Sequence, residues 1–359
     1  MSSKPTADFR ELTDLAARRL GAGAVAANDE FFAEKENLLN PGRAVFSAHT
    51  FGHKGQIYDG WETRRRRDAG HDWVIIRLGA AGIVRGVVID TGNFTGNYPE
   101  EASIEATAID GHPGLSDLEN AEWVNLVSRS ALKGDQENLF AINSEKRWTH
   151  IRLSIFPDGG VARLRVHGIV VPDPRWILSV GTIDLASLEN GGDLIGCSDD
   201  FYSSARNTLQ PGPAQSQGDG WENRRRRHGG NDWFAVSLAA PAIVRAIEVD
   251  TTHFKGNAPG WISVSGGNSG EVINGIGPTS LVERVPTQPD TPHRYVLSNT
   301  AEVSAVRLDV FPDGGVGRFR VWGEPTTEGL KQLTTNWWNS LPDSQRESLA
   351  IPNDLEPLR

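Results

Sequence analysis

The chain contains little sulfur and no long apolar segment. Among its 359 residues there are one cysteine, Cys197, and one methionine. A single cysteine excludes a disulfide framework and any cysteine-based zinc or iron–sulfur cluster. No run of eighteen apolar residues occurs, so the sequence predicts no transmembrane helix.

Basic charge is scarce as well. The chain has 36 Lys and Arg against 46 Asp and Glu, for a net charge of −10. Binding to nucleic acid or to an anionic membrane is therefore not expected. The first segment, MSSKPTADFRELTD, shows neither the basic nor the apolar stretch of a secretory signal, and we expect a cytoplasmic protein.

What the sequence does contain is an internal duplication. DGWETRRRRDAGHDW at 59–73 matches DGWENRRRRHGGNDW at 219–233 in eleven of fifteen positions. FPDGGVARLRVHG at 156–168 matches FPDGGVGRFRVWG at 311–323 in ten of thirteen. The offset falls from 160 to 155, and a weaker upstream match has offset 170, so the first copy carries extra residues near 48–57 and between 100 and 150. The matches predict two repeats, 11–172 and 180–325, followed by a helical tail at 326–359.

Periodicity within each copy predicts the fold. Apolar residues alternate along Asp72–Gly79, where Val74, Ile76 and Leu78 share one face, and the second copy repeats this pattern. Glycine and proline are frequent and helical periodicity is rare, which is typical of β structure with many turns. We predict an all-β protein of two tandem jelly-roll, galactose-binding-like β-sandwiches with short helical segments at both termini.

The four consecutive arginines of each copy, Arg64–Arg67 and Arg224–Arg227, allow three interpretations. A nucleic-acid patch is disfavoured because the protein is acidic, and a solvated or interface charge run is favoured over it. The third interpretation rests on the acidic residues nearby, since each run lies between a glutamate and an Asp-Trp pair. Some guanidinium groups are therefore expected to form bidentate pairs with carboxylates, leaving others to bind a carboxylate ligand.

Differences between the copies indicate possible specialisation. His71 aligns with Asn231, and Asn93 aligns with His253. A histidine titrates near neutrality and can transfer protons, although an isolated surface histidine more often has no such role. The spacing of His49 and His53 in a glycine-containing loop does not favour helical metal-ligand geometry, and no strong metal motif is found. The motifs of serine hydrolases, NTPases and dinucleotide enzymes are absent from the sequence as well.

Several linked motifs resemble one known family. DEFF…ENLL at 29–39, DGWETRRRR…HDWVIIRLG at 59–79, VIDTGNFTGN at 88–97 and FPDGG together are similar to allantoicase (allantoate amidinohydrolase). The resemblance covers about residues 11–325. It implies two similar jelly-roll domains and a hydrolase that converts allantoate and water to ureidoglycolate and urea in purine degradation. The family pattern often has histidine where this chain has Asn93.

The implied chemistry suggests roles for the repeated polar residues. Allantoate carries a carboxylate, so we expect the Arg64–Arg67 run to bind it. Loss of urea needs an acid to protonate the leaving nitrogen and a carboxylate that steers water or stabilises positive charge. The candidates for substrate binding are Arg64, Arg65, Arg66, Arg67, Asn97 and Asn257, and those for catalysis are His71, His253, Glu62, Asp72 and Asp250. No cofactor is predicted, and whether a divalent metal assists stays open.

Two other functions remain possible from the sequence alone. Tandem jelly rolls can bind carbohydrate, in which case Trp61, Trp221 and Trp261 would stack on sugar rings. The repeated Trp61 and Trp221 are nevertheless better explained as core or interface anchors. An assembly protein without catalytic activity is the other alternative, and an enzyme with arginine-rich strands is also expected to form a homo-oligomer.

Overall fold

Each repeat is organised around one strand of 19 residues, Asp72–Asp90 in the first and Asp232–Asp250 in the second. The computed structural model describes residues 8–47, 49–52, 55–56, 58–298 and 300–349. His53 lies outside these residues. Within the described chain, 8–171 and 338–349 form one compact unit and 172–337 form the other.

Strands are the main regular element of both units. Those of the first repeat are β1 Thr13–Asp14, β2 Gly23–Ala27, β3 Phe51–Gly52, β4 Gly55–Gln56, β5 Trp61–Glu62, β6 Asp72–Asp90, β7 Glu101–Thr107, β8 Val124–Ala131, β9 Glu137–Ala141, β10 Arg147–Phe156, β11 Gly160–Val161 and β12 Arg163–Val170. Those of the second repeat are β13 Ile183–Asp184, β14 Asp193–Cys197, β15 Asp232–Asp250, β16 Trp261–Gly267, β17 Thr279–Pro286, β18 Pro292–Val296, β19 Glu302–Phe311 and β20 Arg318–Pro325.

Helices are few and short. The α-helices are α1 Leu115–Glu119, α2 Pro174–Val180, α3 Ser269–Ile273, α4 Thr327–Ser340 and α5 Asp343–Ser348. The 3-10 helices are Phe9–Glu11, Arg18–Leu20, Lys35–Leu39, Leu188–Asn190, Ala205–Leu209 and Gln217–Asp219. The predicted helical tail is therefore present over 327–348, and Trp337 within it is 2 % exposed. No helix of the described residues has the length and apolar character needed to cross a membrane.

The long strand builds a sandwich because it changes partners midway. The first half of β6 pairs antiparallel with β2 and β10, and its second half pairs with β12 and β9. Gly82 lies where the change occurs, and a Cβ atom there would sit 2.2 Å from the carbonyl oxygen of Ile169. In the second repeat β15 pairs with β14 and β19 in its first half and with β20 and β18 in its second.

The core confirms the predicted alternation. Val74 and Ile76 are 0 % exposed and Leu78 is 5 % exposed, and the matching residues Phe234 and Val236 are also fully buried. Side chains of period two on one face of every long strand fill the interior of each sandwich. The two jelly-roll repeats predicted from the sequence are therefore confirmed.

The loops that carry the repeated motifs are fixed by backbone geometry. Both FPDGG segments contain a cis peptide bond before proline, and Gly159 and Gly314 have φ of 144° and 134°. After the first of these turns, β11 pairs with β5, which brings the FPDGG turn beside the DGWE motif. The extra residues predicted near 48–57 include the two short strands β3 and β4 of a hairpin.

Candidate active site

The arginine run of the first repeat alternates between paired and unpaired side chains. Arg64 donates from Nε to Oδ2 of Asp29 at 2.7 Å, and Arg66 donates from Nη1 to Oδ1 of Asp72 at 2.6 Å. Arg65 and Arg67 are exposed and have no ion-pair or hydrogen-bond partner within the described part of the chain. The run thus combines two anchored guanidinium groups with two that are available to a ligand.

The second repeat reproduces this alternation. Arg224 pairs with Asp199 at 3.0 Å and Arg226 with Asp232 at 2.5 Å, while Arg225 and Arg227 have no partner among the residues described. The run borders a cavity of about 390 Å³, lined by Ser198, Asp199, Arg224, Arg225, Arg226, Arg227, His228 and Asp232. A concave surface with this many guanidinium groups suits a small anion.

One residue makes the two arginine sites electrostatically different. Asp68 follows the first run and pairs with Arg66 at 3.2 Å. The second run is followed by His228 at the same position, so it lacks this carboxylate. The second site therefore carries the more positive local charge.

A glutamate and an asparagine form the second component of each site. The Nδ2 of Asn97 donates to Oε1 of Glu62 at 2.7 Å, and the Nδ2 of Asn257 donates to Oε1 of Glu222 at 2.7 Å. Burial raises the pKa of Glu62 above its usual value, against the opposing effect of the Asn97 hydrogen bond. A half-buried carboxyl of raised pKa can donate a proton at a higher pH than an exposed one.

The repeated aspartates lie in more structural surroundings. Asp72 is 1 % exposed and its Oδ1 accepts hydrogen bonds from Arg66 and Asn28. Asp250 accepts the backbone N–H of Thr252 at 2.8 Å, a local turn contact. No hydrogen bond of the described chain joins Asp72 to Glu62 or Asp250 to Glu222, so their catalytic roles stay predictions.

Asp158 and Asp313, the aspartates of the two FPDGG turns, support the arginine runs. Asp158 accepts the backbone N–H of Arg66 at 2.8 Å, and Asp313 accepts that of Arg226 at 2.6 Å. They hold the backbone of the run against the turn, which agrees with a structural role.

The two candidate histidines lie in different surroundings. His71 stacks against Phe156, with ring centroids 4.7 Å apart, and its imidazole lines a separate cavity. His253 has a left-handed backbone, φ 73°, and its Nε2 lies 3.0 Å from the carbonyl oxygen of Ala214. The structure brings neither imidazole into hydrogen-bond contact with a glutamate of the described sites.

Gln217 connects His253 to the glutamate–asparagine pair of the second repeat. Its Nε2 donates to the carbonyl oxygen of His253 at 3.0 Å and to Oδ1 of Asn257 at 3.4 Å. Asn93 takes the place of His253 in the first repeat, with φ 69° and an amide that donates to the carbonyl oxygen of Ala44. Asparagine thus keeps the backbone conformation and this contact without a titratable group.

The repeated tryptophans belong to the core. Trp61 and Trp221 are 0 % exposed, and their indole N–H groups donate to the carbonyl oxygens of Asp29 and Asp199. Neither can stack on a sugar. Trp261 is 45 % exposed, with the Arg284 guanidinium 5.8 Å from its ring centroid.

Sequence reasoning missed the residues that anchor the arginine runs. Asp29 and Asp199 each accept both a backbone and a side-chain hydrogen bond from the first arginine of a run. The weak upstream match of offset 170 aligns DEFF at 29–32 with DDFY at 199–202 and so places these two aspartates at equivalent positions, which was the available signal. Among the described residues no group of three or more His, Cys, Asp or Glu is placed to hold a metal ion.

Fold and site together define a duplicated jelly-roll protein in which each repeat carries a half-buried glutamate and, three and five residues further along the chain, two arginines without partners among the described residues. The family model described as the allantoicase repeat matches residues 13–171 and 183–326. A probable allantoicase of Streptomyces avermitilis is 49% identical over 348 residues, which cover 92% of this chain and 91% of that protein. A probable allantoicase of Nocardia farcinica is 50% identical, covering 88% of this chain and 95% of its own.

A solved structure agrees with these matches. The crystal structure of allantoicase from Saccharomyces cerevisiae has 36% sequence identity and a TM-score of 0.75, covering 90% of this chain and 98% of that one. The chain belongs to the allantoicase family.

Proposed function

We propose that catalysis takes place beside the Glu62–Asn97 pair and its counterpart, Glu222–Asn257, with the unpaired arginines as the carboxylate site. As a member of the allantoicase family, the chain is a hydrolase that converts allantoate and water to ureidoglycolate and urea in purine degradation. The observation that carries the site assignment is the repeated 2.7 Å contact between each asparagine amide and its glutamate.

Arg65 and Arg67 are the groups best suited to the substrate carboxylate. Arg64 and Arg66 are already occupied by Asp29 and Asp72. Three residues of extended chain span at most roughly 10 Å, so the backbone of Arg65 lies within that distance of Glu62. A planar guanidinium binds a carboxylate through two parallel hydrogen bonds, which also orients the substrate.

The raised pKa of Glu62 fits the proton transfer that the reaction needs. In its acid form Glu62 protonates the leaving ureido nitrogen, and the C–N bonding electrons depart with urea. The lone pair of the remaining ureido nitrogen stabilises the central carbon as an iminium-like cation. Water then adds to this carbon and returns a proton to the Glu62 carboxylate, which restores the acid.

The other predicted site residues have supporting positions in this scheme. Asp72 holds Arg66, and Asn97 orients Glu62 through its amide. Gln217 links Asn257 to the backbone carbonyl of His253 and not to its imidazole, so His253→Ala tests whether the imidazole takes any part in proton transfer. His71 faces a different cavity and is treated separately below.

The wider setting of the enzyme is also part of the proposal. The net charge of −10 supports a protein that binds neither nucleic acid nor membranes. We place it in the cytoplasm as a homo-oligomer without a required cofactor. Sedimentation of the purified chain and activity after treatment with a chelator test the last two statements.

The function is tested by incubating the purified chain with allantoate and quantifying urea, ureidoglycolate and ammonia. We expect one urea per allantoate consumed and no ammonia. Glu62→Gln and Asn97→Ala are compared with Glu119→Gln, an exposed glutamate on α1. Lower urea release in the first two, by the share of turnover that the first repeat carries, with the control unaffected supports the site, and undiminished release in Glu62→Gln removes Glu62 from it.

A further inference from the structure

A cavity of about 520 Å³ lies on the outer face of the first repeat. Its walls are side chains that point away from the core. It is lined by His71, Trp73, Ser103, Glu105, Asn125, Arg129, Arg152, Ser154 and Phe156. Neither its serines nor its tryptophan belongs to the catalytic arrangement described above. We propose that this cavity is a second binding site, present in the first repeat only, for a small carboxylate that also carries amide N–H groups.

The floor of the cavity is a row of three residues on neighbouring strands. Ser154 of β10 is in register with Trp73 of β6 on one side and with Ser103 of β7 on the other. Ser154 is 2 % exposed and Ser103 is 8 % exposed. Within the residues that the structure describes, neither hydroxyl has a hydrogen-bond partner, so both are available to a ligand.

The second repeat shows what fills this space when a ligand site is not formed. Asp309 of β19 takes the place of Ser154, in register with Trp233 and Ser263. It holds Arg307 at 2.9 Å, with the guanidinium carbon 4.1 Å from the centroid of the Trp233 ring. Arg307 also donates to the carbonyl oxygens of Val272 and Ile273.

In the first repeat the corresponding arginine is directed elsewhere. Arg152 pairs with Glu105 on the neighbouring strand at 2.8 Å and stacks on Trp123, 4.6 Å from its ring centroid. Serine at 154 offers no charge to hold it over Trp73, and Ser265 of the second repeat is replaced here by Glu105. Two substitutions, Asp to Ser and Ser to Glu, thus leave the space above Trp73 open.

The lining determines the class of ligand. Arg129 and Arg152 are ion-paired through Nε and Nη2 with Glu101 and Glu105. No hydrogen bond of the described residues uses the Nη1 of either guanidinium, so both Nη1 groups are available to the oxygens of a small carboxylate. Phe156 lies between Arg129 and His71 and offers an apolar wall, 4.3 Å from the Arg129 guanidinium carbon. Hydroxyl, amide and carboxylate oxygens on the other walls accept N–H groups, so a ureido acid matches the cavity better than a purely apolar acid.

Calorimetric titration of the full chain with ureidoacetate tests the proposal, because this acid has one carboxylate and one ureido group. Ser154→Asp introduces the residue of the second repeat and is expected to recapture Arg152 over Trp73. We expect the variant to bind one ureidoacetate fewer per chain than the wild type while still releasing urea from allantoate. Ser130→Asp, which adds the same charge at a partly exposed position of β8, should keep the wild-type stoichiometry.

Arg129→Met provides a second test of this site for the case in which Ser154→Asp lowers the stability of the fold. Arg129 is 57 % exposed in its side chain, so Arg129→Met should fold normally and weaken ureidoacetate binding at this site about tenfold. Titrations with acetate and with methylurea show whether both halves of the ligand are needed. Unchanged stoichiometry and affinity in both variants would overturn the proposal.

The proposal does not depend on the assignment of catalysis to Glu62, and its failure is distinguishable. Loss of allantoate turnover in Ser154→Asp, with the fold intact, would show that this cavity is the catalytic site rather than a second one. Glu62→Gln tests the catalytic assignment alone and is expected to leave the ureidoacetate stoichiometry unchanged.

Discussion

The amide of Asn97 lies 2.7 Å from the carboxylate of Glu62, and this contact joins the loop after β6 to strand β5, 35 residues apart in the chain. The same contact recurs between Asn257 and Glu222. A hydrogen bond from a neutral amide favours the ionised carboxylate, while burial favours the acid. At Glu62 burial has the larger effect and raises the pKa, while Asn97 limits that rise.

The first prediction concerns this control of pKa. Asn97→Ala removes the donor, so the pKa of Glu62 should rise further above its usual value. If the acid form is active, turnover falls as pH rises through that pKa, and the midpoint of this fall should move to higher pH in the variant. The measurement is kcat against pH in Glu222→Gln chains, where only the first repeat is active. A midpoint that stays in place would contradict the role of Asn97.

The second prediction concerns stability. The folded-state pKa of Glu62 lies above its unfolded value of 4.5 because the carboxyl is buried. Its contribution to the free energy of unfolding is then fully present below pH 4.5 and is lost as pH rises through the folded pKa. Glu62→Gln should therefore be more stable than the wild type at pH 7 and equal to it near pH 4. Urea unfolding at the two pH values, with Glu119→Gln as the exposed control, checks this.

The third prediction concerns His150, a buried histidine of β10. Burial, with a smaller contribution from the charge of Arg77, lowers the pKa of His150 to about 4. Below about pH 6.5 this histidine is protonated in the unfolded chain but stays neutral in the folded chain. The free energy of unfolding therefore falls as the pH drops from 6.5 to 4. A difference of about 2.5 pKa units corresponds to roughly 3 kcal/mol.

Replacing His150 by the residue found at the same position of the second repeat isolates the effect of His150 on stability in acid. Ala305 of β19 occupies the position that His150 has in β10. His150→Ala should therefore reduce the loss of stability between pH 6.5 and pH 4 by roughly 3 kcal/mol. His112→Ala, at an exposed position, should keep the wild-type slope. An unchanged slope in His150→Ala would show that another group causes the acid sensitivity.

The fourth prediction uses the charge difference between the arginine sites. His228→Asp gives the second run the carboxylate that Asp68 gives the first, and Asp68→His does the reverse. An exposed charge contributes about 1 kcal/mol or less, so we expect KM for allantoate to rise up to about fivefold in His228→Asp and to fall in Asp68→His. His112→Asp serves as a charge-matched control. Equal KM values in all three would place the substrate carboxylate elsewhere.

The fifth prediction separates binding arginines from structural ones. Arg65→Met and Arg67→Met remove guanidinium groups without partners in the described chain and should raise KM with little change in the melting temperature. Arg66→Met leaves the buried carboxylate of Asp72 without its cation, which should destabilise the fold by about 3 kcal/mol. Thermal melts and steady-state kinetics of the three variants distinguish the two classes. Strong destabilisation by Arg65→Met would contradict the assignment.

Most of the fold could be predicted from the sequence because its signals are local and repeated. A period of two locates the buried face of a strand wherever one side is apolar, as in Val74, Ile76 and Leu78. Because each motif occurs twice, the alignment of the two copies also predicted the two repeats. The bounds of the short strands depend on pairing between distant segments, which composition does not encode.

The site was less predictable because it depends on contacts across the chain. Four identical arginines do not reveal which two are held by aspartates, and Asp29 lies 35 residues from the arginine that it binds. His71 lines a cavity to which neither Glu62 nor the arginine run contributes, which the sequence did not indicate. The open cavity beside His71 depends on Ser154, which belongs to no motif. Its effect is recognised only when it is compared with Asp309 at the same position of the second repeat.

The most direct measurement is urea release from allantoate by Glu62→Gln, Glu222→Gln and the double variant. General acid–base groups contribute about 10²- to 10⁴-fold, so the double variant should lose at least about 100-fold in kcat while keeping its fold. The single variants then report how turnover divides between the repeats. Urea release by the double variant at the wild-type rate would contradict the account.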